Sequence, residues 1–153
     1  MSLNVELLRA SFQLVAERMP NLTERFYEIL FVRYPQSKGL FDPSRLNRQK
    51  NMLKLALIAV MEHLEDADWL TKTLRALGAK HVQYGVTDRM YGWVGDSLLA
   101  TLKEAAASDW TPELEEAWSG AYLAIATLMQ ERAHSAQLSA PTTERSAQAA
   151  PAS

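Results

Sequence analysis

The chain contains no cysteine, and this absence excludes several kinds of chemistry at once. Without thiols the protein can form no disulfide, no thiolate nucleophile, no cysteine-bound zinc site and no iron–sulfur cluster. An excess of charge of one sign is also lacking, because 16 basic and 18 acidic residues give a formal net charge of −2. The composition therefore provides no global electrostatic case for binding nucleic acid or an anionic membrane.

Long apolar runs are missing near the start of the chain. The first 18 residues carry four charged side chains, and they resemble neither a signal peptide nor a membrane span. We therefore expect a cytoplasmic protein. A length of 153 residues suits one domain with a substantial core. We predict a domain over residues 1–134 and a disordered tail over residues 135–153, which are rich in Ala, Ser, Thr, Gln and Pro.

The domain itself has the hydrophobic periodicity of helices, with apolar residues three and four positions apart and no sustained alternation typical of strands. These patterns predict an all-α fold of about six to eight helices. Asn21 and Glu24 have the spacing of a capping box at the start of the second helix. The expected helices cover residues 5–19, 21–35, 48–65, 70–84, 87–106 and 112 onward, with a turn at 41–44.

His81 ends a helical stripe that contains Leu70, Leu74 and Leu77 at intervals of four, three and four residues. These four side chains share one helix face. A lone histidine on an apolar face is more often a core residue with a satisfied hydrogen bond. It can also be the ligand of a metal cofactor held in an apolar cavity.

Three further polar residues lie on faces that are otherwise apolar, namely Tyr27, Gln49 and Tyr91. A hydroxyl or an amide in such a place needs a hydrogen-bonding partner. Each one alone is consistent with a bond to a nearby carbonyl. Several of them converging with a histidine on one helical core favour a ligand pocket.

Five segments, taken in order, resemble the bacterial single-domain globins and the haem domain of flavohaemoglobins. The resemblance runs from about residue 3 to residue 132. The segments are Thr23-Glu24-Arg25-Phe26-Tyr27, Leu40-Phe41-Asp42, Gln49 with Leu53, Lys80-His81 with Val86, Tyr91 and Val94-Gly95, and Trp118 with Tyr122.

The resemblance implies a globin fold around haem b, with His81 as the proximal ligand of the iron. It implies that Tyr27 and Gln49 are the distal hydrogen-bond donors. Either a backbone carbonyl or Tyr91 would orient the imidazole. Lys80 or Arg45 would pair with the haem propionates. Apolar walls would come from Phe41, Leu53, Leu77, Val86, Val94 and Leu98.

One position departs from the flavohaemoglobin pattern. That family has a glutamate on the last helix that bonds to the proximal histidine, and alignment from Trp118 and Tyr122 places Ala133 there. Glu131 falls on a different helix face. Gln130 and His134 are near in register, but neither supplies a carboxylate.

The resemblance implies reversible binding of O₂, and also of CO and NO, at a five-coordinate iron, in oxygen transport or storage. A nitric oxide dioxygenase that uses a separate reductase is the enzymatic alternative. A peroxidase-like side activity is a further enzymatic expectation. A gas or redox sensor is a third. The expected partners are therefore diatomic gases and, for the enzymatic alternative, an external reductase. We expect a monomer or a homodimer.

Overall fold

The computed structural model describes the backbone of residues 3–139 and the side chains of residues 3–131. No strand occurs in residues 3–139, so the predicted all-α class is confirmed. Three 3₁₀ segments, Pro35–Leu40, Pro43–Arg45 and Ala107–Asp109, separate or extend the α-helices. The α-helices are α1 Val5–Arg18, α2 Leu22–Arg33, α3 Leu46–Glu62, α4 Ala67–Gln83, α5 Asp88–Ala106 and α6 Pro112–Ser139.

The helix ends follow the sequence signals with one exception. Helix α1 stops just before Pro20, α4 ends ahead of Gly85 with its φ of 85°, and Thr87 is the N-cap residue of α5. Asn21 is the N-cap residue of α2, but its side chain makes no capping hydrogen bond, so the predicted capping box is wrong. Its φ of −96° and ψ of 35° lie outside the extended region that side-chain capping usually requires.

The segment between α2 and α3 is more helical than the sequence predicted. A plain turn was expected at residues 41–44, yet one 3₁₀ segment, Pro35–Leu40, precedes that stretch and a second, Pro43–Arg45, overlaps it. Each begins with a proline. Proline fits the first position of a helical turn because the N–H at that position has no acceptor within the turn, so its absence costs no hydrogen bond. Asp42 fixes the second segment, since its carboxylate accepts from the Ser44 backbone N–H at 3.0 Å.

Helices α4 and α6 cross at very short range. A Cβ atom added at Gly78 would lie 2.0 Å from the Met129 carbonyl oxygen, so only glycine fits at this crossing. On the other side of the core, the Trp118 indole N–H donates to the Ser11 hydroxyl at 2.9 Å and ties α6 to α1. The α4–α6 contact at Gly78 fixes the end of α4, where His81 lies three residues further along the chain.

Helix α6 continues to Ser139, and residues 140–153, most of the predicted tail, lie outside the described part of the chain. The tail and its boundary at residue 135 therefore stay predictions. Within residues 3–139, no helix is both long enough and apolar enough to cross a membrane.

Candidate functional site

The imidazole of His81 is held in one tautomer by the backbone of its own helix. Its Nδ1 lies 2.8 Å from the Leu77 carbonyl oxygen. Because a carbonyl can only accept, Nδ1 carries the proton and Nε2 keeps its lone pair. Burial lowers the pKa of His81, and the bond to Leu77 opposes this effect. The ring is therefore neutral at physiological pH and presents Nε2 as a metal-ligating atom.

Tyr91 on α5 flanks His81 without bonding to it. The two rings lie 6.4 Å apart with an angle of 26° between their planes. The Tyr91 hydroxyl is buried and has no hydrogen-bond partner among the side chains and backbone that the structure describes. Burial, and secondarily the charge of Asp88, raises its pKa. Of the two orienting groups that the sequence left open, the structure shows the Leu77 carbonyl in contact with the imidazole.

Gly95 and Tyr122 anchor the backbone around Tyr91. The Tyr122 hydroxyl donates to the Tyr91 carbonyl oxygen at 2.7 Å. A Cβ atom at Gly95 would lie 2.7 Å from a ring carbon of Tyr122, so the glycine makes room for the tyrosine. Tyr122 thus positions α5 against α6, a role that the resemblance at Gly95 and Tyr122 did not specify.

Tyr27 on α2 and Gln49 on α3 face each other. The Tyr27 side chain is only 4% exposed. Burial raises the pKa of its hydroxyl to about 12, while a side-chain hydrogen bond with Gln49 acts in the opposite direction. The phenol therefore keeps its proton at neutral pH and can donate it in a hydrogen bond.

An aromatic cluster fixes the Tyr27 ring. Its centroid lies 5.0 Å from that of Phe26 and 5.4 Å from that of Phe41, both in edge-to-face contacts. Phe31 lies 5.8 Å away. The sequence did not indicate a positioning role for Phe26 and Phe31. The signal was present in part, because Phe31 follows Tyr27 by four residues and so shares its helix face.

The predicted wall residues pack on the core but are, with one exception, only partly buried. Part of each of these side chains is therefore accessible to solvent. Leu98 is the exception, at 9% exposure. Met52, one residue before Leu53, is 51% exposed and so directs much of its side chain to solvent. The partly buried wall residues are Phe41, Leu53, Leu77, Val86 and Val94.

Charged residues near this region lie at the surface. Lys80 and Arg45 are both exposed, which is compatible with pairing to an acidic group at the rim. Glu131 on α6 accepts from Arg75 on α4 at 3.1 Å, away from His81. This geometry agrees with the prediction that Glu131 occupies a different face. The side chains of Ala133 and His134 lie outside the described residues.

A family model described as Globin matches residues 24–129, and the chain belongs to the globin family. It is 29% identical over 131 residues to the flavohemoprotein of Vibrio cholerae. This match covers 84% of this chain and 33% of that protein. The flavohemoprotein of Bordetella pertussis is 32% identical over 131 residues, again 33% of its length. The chain thus spans about a third of these curated relatives.

Two solved structures extend the comparison. A bacterial globin from Campylobacter jejuni superimposes with a TM-score of 0.74 at 22% identity, covering 87% of this chain and 96% of that one, and shows the fold alone. A putative nitric oxide dioxygenase from Rhodothermus marinus, solved as an engineered carbene transferase, gives a TM-score of 0.76 at 27% identity. This second match covers 88% of this chain and 93% of the other.

Proposed function

We propose that this globin holds haem b between α3 and α4 and binds O₂ reversibly. The observation that carries the proposal is the state of His81, whose Nδ1 is engaged by Leu77 while Nε2 is left as a neutral ligating atom. The flavohemoproteins among its relatives are named for a haem group, which supports the choice of cofactor.

The described residues fit haem in three respects. His81 offers an unprotonated Nε2 as a ligand, and the apolar wall residues are only partly buried. Two exposed cations, Lys80 and Arg45, are suited to pair with the haem propionates. When bound, haem supplies a ferrous iron with an open position for O₂, CO or NO. His81 would hold the iron, and the Leu77 carbonyl would keep the imidazole in its ligating orientation.

Tyr27 is our choice for the first hydrogen-bond donor to a diatomic ligand. Its hydroxyl is protonated, its ring is fixed by neighbouring aromatic rings, and the residue is buried. A preorganised donor in a water-poor site stabilises developing negative charge more than the same donor in water. Gln49 is the second donor, since the same hydrogen bond that links it to Tyr27 holds its amide nearby.

The apolar walls would exclude water from the iron. Leu53, Val86 and Val94 carry no group that could bond a water molecule, so water in the pocket would lack partners there. By keeping water out, these side chains would favour reversible binding of O₂ over oxidation of the cofactor.

A nitric oxide dioxygenase is the second candidate. The Rhodothermus marinus neighbour is a putative enzyme of that kind. Turnover would need electrons from an external reductase as the partner. The Tyr91 hydroxyl, which has no hydrogen-bond partner among the described residues, favours the binding function. A carboxylate bonded to both Tyr91 and His81 would instead make the imidazole more electron-donating.

Absorption spectra of the purified protein, taken ferric, ferrous and ferrous with CO, test the proposal. We expect a haem b spectrum with a five-coordinate ferrous form that shifts on adding CO. A protein that binds no added haem, or whose ferrous form is already six-coordinate, would contradict it.

A further inference from the structure

A second cluster of aromatic and charged side chains lies where α2 ends against α5. The rings of Tyr34 and Trp93 are stacked, with centroids 5.5 Å apart and planes 15° from parallel. The Tyr34 hydroxyl donates to the Asp96 carboxylate at 2.6 Å. The guanidinium carbon of Arg89 lies 5.7 Å from the centroid of the Trp93 ring.

The Tyr34–Asp96 pair has the chemistry of a coupled proton and electron donor. Oxidising a phenol by one electron makes its proton strongly acidic, so the loss of the electron is easiest where a base already accepts that proton. The hydrogen bond to Asp96 is short and has a charged acceptor. It also raises the pKa of Tyr34, so the phenol keeps its proton at neutral pH.

The other two side chains favour Tyr34 over Trp93 as the oxidised residue. Oxidation of an indole first produces a radical cation, and the nearby positive charge of Arg89 disfavours that product. Oxidation of Tyr34 leaves a neutral radical, because its proton passes to Asp96. Tyr34 is also partly exposed, whereas Trp93 is 8% exposed, so an oxidant in solution can reach the tyrosine.

We propose that Tyr34 is a redox-active tyrosine that donates one electron to radical oxidants at the protein surface while its proton moves to Asp96. The oxidant is reduced by one electron, and the products on the protein are a neutral tyrosyl radical and a protonated Asp96 carboxyl. A one-electron reductant of the ascorbate or thiol class gives one electron to the tyrosyl radical. Asp96 then returns the proton, which regenerates the phenol and the carboxylate. The site is separate from the haem-binding proposal and does not depend on it.

Tyr84 provides a matched control on the same molecule. It is 55% exposed, and among residues 3–131 its hydroxyl bonds to no carboxylate and its ring stacks on no other ring. If exposure alone decided oxidation, Tyr84 would react first. If a proton acceptor decides it, Tyr34 would react first.

The test is flash photolysis of the full-length protein with tris(bipyridine)ruthenium(II) and a sacrificial acceptor, followed by electron paramagnetic resonance of the frozen sample. We expect Tyr34→Phe to remove most of the tyrosyl signal and Tyr84→Phe to leave it close to wild type. Asp96→Asn keeps both rings but supplies no base, so we expect it to lose most of the Tyr34 signal, because the phenol proton then has no charged acceptor.

Two results would overturn the proposal. The first is a tyrosyl signal that disappears in Tyr84→Phe and survives in Tyr34→Phe. The second is a wild-type yield in Asp96→Asn, which would show that Asp96 supports packing only. Circular dichroism melting of each variant checks that the fold is retained, and Asp96→Asn decides the matter should Tyr34→Phe be poorly folded.

Discussion

The two sides of the candidate pocket are built in different ways. On the distal side, Tyr27 and Gln49 face each other and Tyr27 is surrounded by phenylalanine rings. On the proximal side, the only hydrogen bond of the His81 imidazole within the described residues is to the Leu77 carbonyl of its own helix, and the neighbouring Tyr91 hydroxyl has no described partner. The candidate distal side thus has two polar side chains set against aromatic rings, and the candidate proximal side has a single histidine among apolar side chains.

The difference indicates where the protein can influence a bound ligand. A neutral imidazole with one carbonyl bond holds an iron firmly but gives it little additional electron density. A protonated, preorganised phenol acts directly on negative charge developing at the ligand. We therefore expect variants on the proximal side to change cofactor retention and stability, and distal variants to change ligand release.

The largest effect is expected for His81→Ala, which should abolish haem retention or leave the haem loosely bound. His63→Ala is a matched control, because the His63 Nδ1 also lies 2.8 Å from the carbonyl oxygen of the residue four positions before it, Ala59. His63 stacks on Trp69 with centroids 3.8 Å apart and should be dispensable for haem. Haem titration followed by ferrous spectra compares the two variants. Haem loss confined to His63→Ala would mean that the assignment of His81 as the proximal ligand is wrong.

Gly78→Ala should destabilise the frame that holds His81. The added methyl group would collide with the Met129 backbone, and overpacking of this kind costs about 1–3 kcal/mol. Gly92→Ala on α5 is the control, because nothing lies within 4 Å of its added Cβ. It should raise the free energy of unfolding by about 0.5–1 kcal/mol through helix propensity. Urea denaturation measures both, and equal changes would mean that the α4–α6 crossing is not tight.

Tyr27→Phe should accelerate O₂ dissociation about tenfold, since it removes a hydrogen bond of about 1.5 kcal/mol to a charged acceptor while keeping the ring packing. Dissociation of CO should change far less, because CO carries little negative charge on its outer atom. Gln49→Leu should have a smaller effect if Tyr27 is the first donor. Stopped-flow release of both gases provides the measurement, and an unchanged O₂ rate in Tyr27→Phe would mean that the phenol does not reach the ligand.

The smallest effect is expected for Tyr91→Phe. Its hydroxyl is buried without a described partner, so removing it should leave the stability unchanged or raise it by up to about 1 kcal/mol. Tyr122→Phe should instead lower the stability by about 0.5–1.5 kcal/mol, because its hydroxyl bonds to the Tyr91 carbonyl. Thermal or urea unfolding compares the pair. A large loss in Tyr91→Phe would reveal a partner for its hydroxyl and weaken the contrast between the two sides.

Sequence periodicity predicted the α-helices and selected His81, Tyr27 and Gln49, because polar side chains on apolar faces are visible in a helical pattern. It did not predict the 3₁₀ segments at 35–45, whose stability comes from prolines and local bonds such as Asp42 to Ser44 rather than from a 3.6-residue period. It also could not choose between a backbone carbonyl and Tyr91 as the partner of His81. That choice depends on the distance between α4 and α5, which only the packed structure defines.

Repeated oxygenation of the reduced protein tests the central claim most directly. The ferrous protein is exposed to O₂ and then to argon over several cycles, while its absorption spectrum is followed. We predict that the spectrum changes on adding O₂ and that the five-coordinate ferrous spectrum returns in each cycle. Conversion to the ferric form within the first cycle, or no spectral response to O₂, would contradict reversible binding at a haem held by His81.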